Sequence, residues 1–271
     1  MNRPAITSFT LKVVAIAGMT CNHVANIFAL QLPGWATVAL CSLGGLTFPI
    51  MAFLLGEGYR YTSNIRSYAS RLAVFAALSQ IPYSLLWGAG ASVLVTLLLG
   101  LGVLWAHDHV RRRSLFFGLF AMVLVASVWC DWGIIGPLMI YLFYRLRSEG
   151  ARRAVGLTML VAALALGLPA LEGLSGEALL QTEAPIDVVA QGLLAVGGDG
   201  SGLPAFVSYT VNDAGALVSS LGALGYATVG FGLATLLLIN FNGRRGRPLK
   251  WLFYWYYPAH LFLLWGLAQI I

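Results

Sequence analysis

Long runs of apolar residues that carry almost no charge constrain this chain more than any other feature. The first extends from Leu11 to Leu32, and similar runs follow along the rest of the sequence. Of the 271 residues, 59% are hydrophobic and 10% are charged, whereas soluble domains are about 25% charged. A soluble core of this length could not bury so much apolar surface. We therefore predict an all-α, polytopic membrane protein that folds as a single domain over residues 1–271.

Hydropathy divides this apolar sequence into about nine candidate transmembrane helices. The 16 lysines and arginines all fall near the N-terminus or at alternate connections, so a cytoplasmic N-terminus would place every one on the cytoplasmic side. This distribution satisfies the positive-inside rule, and the net charge of +6 therefore indicates topology and not nucleic-acid binding. The first run lacks a small-residue cleavage site, so we expect it to remain in the mature protein. The segments are 11–32, 35–56, 72–88, 91–106, 114–130, 133–146, 154–171, 218–241 and 251–270.

The segment at about 172–217 has the opposite charge. It contains six acidic residues and no lysine or arginine. The same topology places it outside the cytoplasm. Its apolar middle is too short to cross a membrane, so we expect an extracytoplasmic elaboration of the helical domain.

A histidine lies in the middle of the first apolar run, within AGMTCNHVANIF. His23 follows Lys12 by eleven residues, about 16 Å along a helix. Thr20 and Asn26 share its helix face, whereas Asn22 points about 100° away. Burying an ionisable residue in a span costs several kcal/mol. We predict a polar stripe facing the bundle interior and a catalytic or substrate-contacting role for His23; a packing hydrogen bond to a facing helix is the alternative.

Two further polar residues are candidates for the same site. His260 lies in the last run at a depth comparable to that of His23, after a proline that can bend the helix, with Tyr256 and Tyr257 on or near its face. Asp131 lies at the turn between two short runs, where a solvated cap is the alternative to a functional role.

The remaining charged residues near the spans have simpler interpretations. For Glu57 we predict an ion pair with Arg60 on the helix surface. His107 and His109 flank an aspartate in HDHVRRR and are expected to be solvated. Three consecutive side chains on a helix cannot converge on one ion, so no metal site is predicted.

Six stretches distributed over the chain resemble the TraX family, which is named for the acetylase that modifies the N-terminus of F-type conjugative pilin. Each stretch alone is weak evidence of a resemblance. The resemblance rests on the order of the six stretches and on their spread over the whole chain. They are LKVVAIAGMTCNH (11–23), FPIMAFLLGEGYRYT (48–62), YASRL (68–72), SQIPYSL (79–85), CDWGIIG (130–136) and NGRRGRPLKWLFYWYYPAHLFLL (242–264).

The resemblance implies an acyl-CoA-dependent acyltransferase of the bacterial inner membrane, in which an intramembrane histidine serves acyl transfer. His23 is then the leading catalytic candidate. Two positions depart from the family pattern, because Asn22 replaces an aspartate and Gly45 replaces an arginine. Other family motif positions are Glu57, Tyr59, Arg71, Asp131, Asn242, Gly243, Gly246 and His260.

We expect acyl-CoA, with acetyl-CoA favoured, to dock from the cytoplasm with its phosphates on a basic set. His23 would take a proton from the acceptor or form an acyl-histidine. Asn22, Asn26, Tyr257 or His260 would donate to the oxyanion, with Asp131 in a supporting role. The set assigned to acyl-CoA is Arg71, Asn242, Arg244, Arg245, Arg247 and Lys250.

The acceptor is expected to present an amine or hydroxyl, and the N-terminus of a pilin is favoured over an envelope glycan or lipid. Two functions of other classes remain open. One is a transporter or flippase in which His23 and His260 relay protons or contact the substrate; under any of these functions, we expect the chain to contact membrane lipids. The other is a non-enzymatic partner in pilus assembly, whose intramembrane polar residues only hold helices together.

Overall fold

The computed structural model describes residues 6–147, 150–172 and 213–271, and these are helical almost throughout. Each of the nine predicted apolar segments coincides with helix, which confirms the all-α class. The helices are α1 (Ser8–Ile27), α2 (Gly34–Gly44), α3 (Thr47–Tyr61), α4 (Ile65–Trp87), α5 (Val93–His109), α6 (Arg113–Ala126), α7 (Ile135–Leu146), α8 (Ala151–Glu172), α9 (Asp213–Gly225), α10 (Phe231–Ile239) and α11 (Lys250–Ala268).

Within the part of the chain that the structure describes, two continuous helical stretches are long and apolar enough to cross a membrane. They are Gly34–Tyr61, which combines α2 and α3, and Val218–Ile239, which joins α9 to α10 through the π-helix Tyr226–Gly230. The count of nine spans and the cytoplasmic N-terminus remain predictions. Most of the predicted extracytoplasmic segment, residues 173–212, lies outside the described residues.

The loop between α10 and α11 is fastened across the beginning of α1. The backbone N–H groups of Ser8 and Phe9 donate to the carbonyls of Arg244 and Arg245 at 2.9 and 3.1 Å. These first-turn N–H groups have no partner within their own helix. Gly246 adopts φ +71° where the loop approaches α1, a conformation that L side chains rarely adopt. This loop, residues 240–249, contains three arginines and is called the basic loop; its hydrogen bonds hold it in a fixed position beside α1.

The core lies between α1, α3, α4, α5, α7, α8, α10 and α11. Its aromatic side chains pack in two arrangements. Phe48 and Trp132 stack with ring centroids 4.0 Å apart, while Phe53 meets the rings of Phe143 and Phe241 edge to face, at 5.7 Å each. Both geometries are favourable for aromatic pairs. They hold α3 against α7 and against the turn before it.

Gly45, where the family pattern has an arginine, ends α2 against the π-helix. A Cβ atom at Gly45 would overlap the backbone carbonyl of Tyr226. Gly230 approaches the same place from the other side, since its own Cβ would meet the Cα of Gly45. There is therefore no room for a side chain at position 45, and the glycine allows the backbone at the end of α2 to pack closely against the π-helix.

We expect Gly45→Ala to destabilise the protein by about 1–3 kcal/mol, the usual effect of overpacking. Thermal unfolding of the detergent-purified variants would measure this as a lower midpoint. Gly232→Ala in α10 is the matched control, because a Cβ there meets no atom within 4 Å. Equal midpoints for the two variants would contradict the close packing of α2 on the π-helix.

Candidate functional site

A cavity of about 510 Å³ runs through the bundle, lined mainly by α1, α3, α4, α5 and α11. Small-molecule sites typically measure about 300–1,000 Å³. One end is lined by residues near the beginning of α1, including Ser8 and Lys12, and by the basic loop. The other end is lined by residues later in α1, including Asn22 and His23. The cavity therefore extends along more than two turns of α1.

Three cationic side chains line the end of the cavity beside the beginning of α1, and we call this end the mouth. They are Lys12 from α1, Arg71 from α4 and Arg245 from the basic loop. The Nε atom of Arg71 is buried and has no hydrogen-bonding partner among the described residues. Leaving a buried donor unpaired is costly, more so on a charged group. The mouth is thus suited to an anion that accepts from Arg71.

The inner end of the cavity combines a histidine with oxygen-bearing side chains. His23, Asn22, Asp131 and Tyr257 all line it. The Oδ1 atom of Asn22 is buried without a hydrogen-bonding partner in the described part of the chain. The backbone N–H of Asp131 donates to the carbonyl of Ala91 at 2.9 Å, which fixes its turn close to the start of α5. Burial raises the pKa of the Asp131 carboxyl to about 7, so this group titrates near neutral pH.

A second layer of hydrogen bonds lies behind His23, between α1 and α11. The Nδ1 atom of His23 is 2.7 Å from the Nε2 atom of His260. The Nδ1 atom of His260 is 2.9 Å from the backbone carbonyl of Tyr256. The hydroxyls of Thr20 and Tyr256 are hydrogen-bonded at 2.5 Å. None of Thr20, Tyr256 and His260 lines the cavity, so this layer supports His23 from the side opposite the cavity.

Two residues of the predicted polar stripe on α1 face another helix. Thr20 and His23 both bond to α11, as their shared helix face predicts, and Asn26 is buried on the same helix. Asn22, which the helical wheel sets apart, nevertheless lines the same cavity as His23. The cavity therefore covers a wider arc of α1 than the stripe alone.

The residues assigned to acyl-CoA do not all meet at one place. Arg71 and Arg245 line the mouth, and Lys12 joins them although it was left out of that set. Its signal was available, because the family motif contains a lysine there. Arg244, Arg247 and Asn242 are exposed and lie outside the cavity lining, and the Asn242 side chain accepts from the Arg244 N–H at 2.8 Å. Lys250 begins α11.

One sequence interpretation, the ion pair predicted for Glu57, is wrong in detail. Glu57 is buried and pairs with Arg147, at 3.0 Å from Nε to Oε1, whereas Arg60 donates to the backbone carbonyl of Tyr144. The reason is that α7 packs against the face of α3 that bears Glu57. Asp131, for which a solvated cap is the alternative to a functional role, is half-buried and lines the cavity.

The histidines of the HDHVRRR stretch differ in their surroundings. His109 is exposed, as predicted, but the His107 ring packs edge to face against Phe116 and Tyr141. Asp108 between them accepts hydrogen bonds from the hydroxyls of Tyr59 and Tyr144. In the described ranges, no group of three or more His, Cys, Asp or Glu side chains is arranged to hold a metal ion.

Comparisons with known proteins agree with the family resemblance. The family model described as "TraX protein" matches residues 8–198, which include His23, Arg71 and Asp131 and end before α11. A curated relative, "Probable fimbrial assembly protein FimC, serogroup H1" of Dichelobacter nodosus, is 30% identical over 173 residues, which cover 59% of this chain and 70% of the relative. No solved structure matches the chain. The family match covers well over half of the sequence, and the chain belongs to the TraX family.

Proposed function

We propose that this protein is a membrane-embedded acyltransferase. It moves an acyl group, with acetyl favoured, from cytosolic acyl-CoA to an amine or hydroxyl of an acceptor at the membrane. One observation carries the proposal: a single cavity connects a mouth lined by Lys12, Arg71 and Arg245 to the imidazole of His23.

The mouth has the chemistry that a phosphorylated donor requires. A guanidinium binds phosphate through two parallel N–H···O bonds, and an ammonium adds a mobile point charge. The unpaired Nε of Arg71 offers a buried donor for one of these bonds. The phosphates of CoA would remain at the mouth, while its thioester-bearing arm reaches inward along α1 toward His23.

The inner end has a base for the transfer itself. The acceptor nitrogen or oxygen attacks the thioester carbonyl carbon, and the imidazole of His23 takes the proton that the acceptor loses. The C–S bond of the tetrahedral adduct then breaks, and the departing thiolate receives that proton and leaves as free CoA. The side-chain amide of Asn22 and the hydroxyl of Tyr257 line the same space, where either can donate to the oxyanion.

The proposal requires the mouth to face the cytoplasm. Nine spans with a cytoplasmic N-terminus put the mouth on the side of the bacterial inner membrane where acyl-CoA is made. The curated relative is called a fimbrial assembly protein, which favours a pilin or another envelope component as the acceptor. An acyl-histidine intermediate is the alternative to direct transfer and uses the same imidazole.

Binding of acetyl-CoA by the purified protein tests the mouth without knowledge of the acceptor. We expect acetylpantetheine, which carries the same thioester without the phosphates and the adenosine of CoA, to bind about 100-fold more weakly, because hydrogen bonds to charged groups contribute about 1.5–3 kcal/mol each. Isothermal titration calorimetry measures both affinities. Equal affinities, or no binding of either thioester, would exclude the acyl-CoA proposal and favour the transporter or assembly role.

A further inference from the structure

We propose that His260 is a positioning residue that fixes the tautomer of His23, with the proton on Nδ1 and the Nε2 lone pair available to the cavity. The catalytic consequence rests on the proposed acyltransferase function. The tautomer itself does not, because it follows from hydrogen bonds within the fold.

The backbone carbonyl of Tyr256 sets the direction of the hydrogen-bond chain. A carbonyl oxygen only accepts, so the Nδ1 atom of His260, 2.9 Å away, must carry a proton and donate it. A neutral imidazole carries one N–H, so Nε2 of His260 is an acceptor. The Nδ1 atom of His23 lies 2.7 Å from that acceptor and must therefore be the donor. The remaining nitrogen of His23, Nε2, is then unprotonated.

The geometry of the two rings fits such a bond. The lone pair of an imidazole nitrogen lies in the ring plane, so a strong N–H···N bond needs the line between the two nitrogens to lie in both ring planes. The centroids of the His23 and His260 rings are 5.0 Å apart, as far as an N···N contact of 2.7 Å allows, so the two rings meet edge to edge and not face to face, and their planes are inclined by only 5°. The bond between Thr20 and Tyr256, one turn earlier on both helices, holds α1 and α11 in register.

His260 acts through His23 and not on the substrate. It is buried and does not line the cavity, whereas His23 does. Both of its ring nitrogens are already engaged, which removes the oxyanion-donor role considered from the sequence. Without His260, the Nδ1 proton of His23 loses its acceptor, and the tautomer with the proton on Nε2 becomes accessible. That tautomer presents no lone pair to an acceptor in the cavity.

The tautomer is measurable in the full-length protein by ¹⁵N NMR with labelled histidine. The chain has four histidines, so single substitutions assign the signals. We expect His23 in the wild type to show a protonated Nδ1 and an unprotonated Nε2, and His260→Leu to shift the proton to Nε2 in part or wholly. A wild-type His23 with its proton on Nε2 would overturn the proposal, and so would an unchanged tautomer in His260→Leu.

A series at position 260 separates positioning from packing. Glutamate only accepts when ionised, glutamine accepts or donates, and leucine does neither. If His260 acts by positioning His23, kcat for CoA release should be highest in the glutamate variant, lower in the glutamine variant and lowest in the leucine variant. The leucine variant should lie about 100-fold below the wild type, and KM for acetyl-CoA should be unchanged in all three. If His260 only packs between the helices, the order should be reversed, because burying a carboxylate destabilises the fold more than burying an amide or leucine side chain. That reversed order would contradict the inference.

Leu264→Ala, at a buried site one turn further along α11, controls for general damage to the helix and should leave kcat close to the wild-type value. Failure of the acyltransferase proposal would appear as a wild type that releases no CoA. The ¹⁵N result would still decide the tautomer in that case, so the two proposals fail separately.

Discussion

Replacing His23 with alanine is expected to lower the rate of CoA release from acetyl-CoA by about 10²–10⁴-fold, the range that general-base catalysis supplies. Its imidazole lines the inner end of the cavity and is hydrogen-bonded to the helix behind it, which is the placement that the proposed base requires. The affinity for acetyl-CoA should change little, because the proposed phosphate site is the mouth and not the inner end. The measurement is CoA release by the purified variant at saturating acetyl-CoA.

Cys21→Ala is the matched control for His23→Ala. Cys21 is two residues away on α1, is only partly buried and does not line the cavity, so its rate should equal that of the wild type. Full activity in His23→Ala would exclude His23 as base or nucleophile. Rapid quenching of the wild type, followed by mass spectrometry of the peptide that contains His23, separates the two chemical routes: an acetylated peptide indicates an acyl-histidine intermediate.

Replacing Arg71 with glutamine is expected to raise KM for acetyl-CoA by about 10–100-fold, the equivalent of one or two charge-assisted hydrogen bonds. Its effect on kcat should be much smaller, because Arg71 lies at the mouth, away from the reacting atoms. Steady-state kinetics over a range of acetyl-CoA concentrations gives both parameters.

Arg66→Gln provides the matched control for this second prediction. Arg66 lies one turn and a half earlier on α4, is exposed and is outside the cavity lining, so its removal should leave KM unchanged. With acetylpantetheine as donor, Arg71→Gln and the wild type should become equivalent. An Arg71→Gln variant with unchanged KM for acetyl-CoA would show that the phosphates bind elsewhere.

Much of the fold was predictable from the sequence because apolar length and charge distribution act locally. The nine apolar segments are helical, and the Thr20–His23 face of α1 contacts another helix as its spacing predicts. The sequence spacing of residues along one helix shows which of them share a face of that helix. It does not state which helix covers that face or how that helix is rotated, and the pairing of His23 with His260 depends on both.

The same limit explains the error at Glu57 and the position of Asn22. Arg60 is near Glu57 in sequence, but the packing of α7 on α3 brings Arg147 to it instead. Asn22 and His23 are consecutive and point apart, yet both line the cavity because it wraps around α1. An aspartate at position 22, as in the family pattern, would therefore add a second carboxyl to the inner end beside Asp131. We interpret Asn22 as the residue that most distinguishes this site from the family pattern.

The central claim is that acyl groups pass from the mouth to an acceptor by way of His23. The most direct test supplies acetyl-CoA with a labelled acetyl group to inverted membrane vesicles that contain the wild type or His23→Ala, together with the cell's own envelope components. We predict that the label becomes covalently bound to a pilin or another envelope component in wild-type vesicles, with release of free CoA, and that His23→Ala vesicles transfer almost none. Equal labelling of the two preparations, or no transfer by the wild type, would contradict the claim.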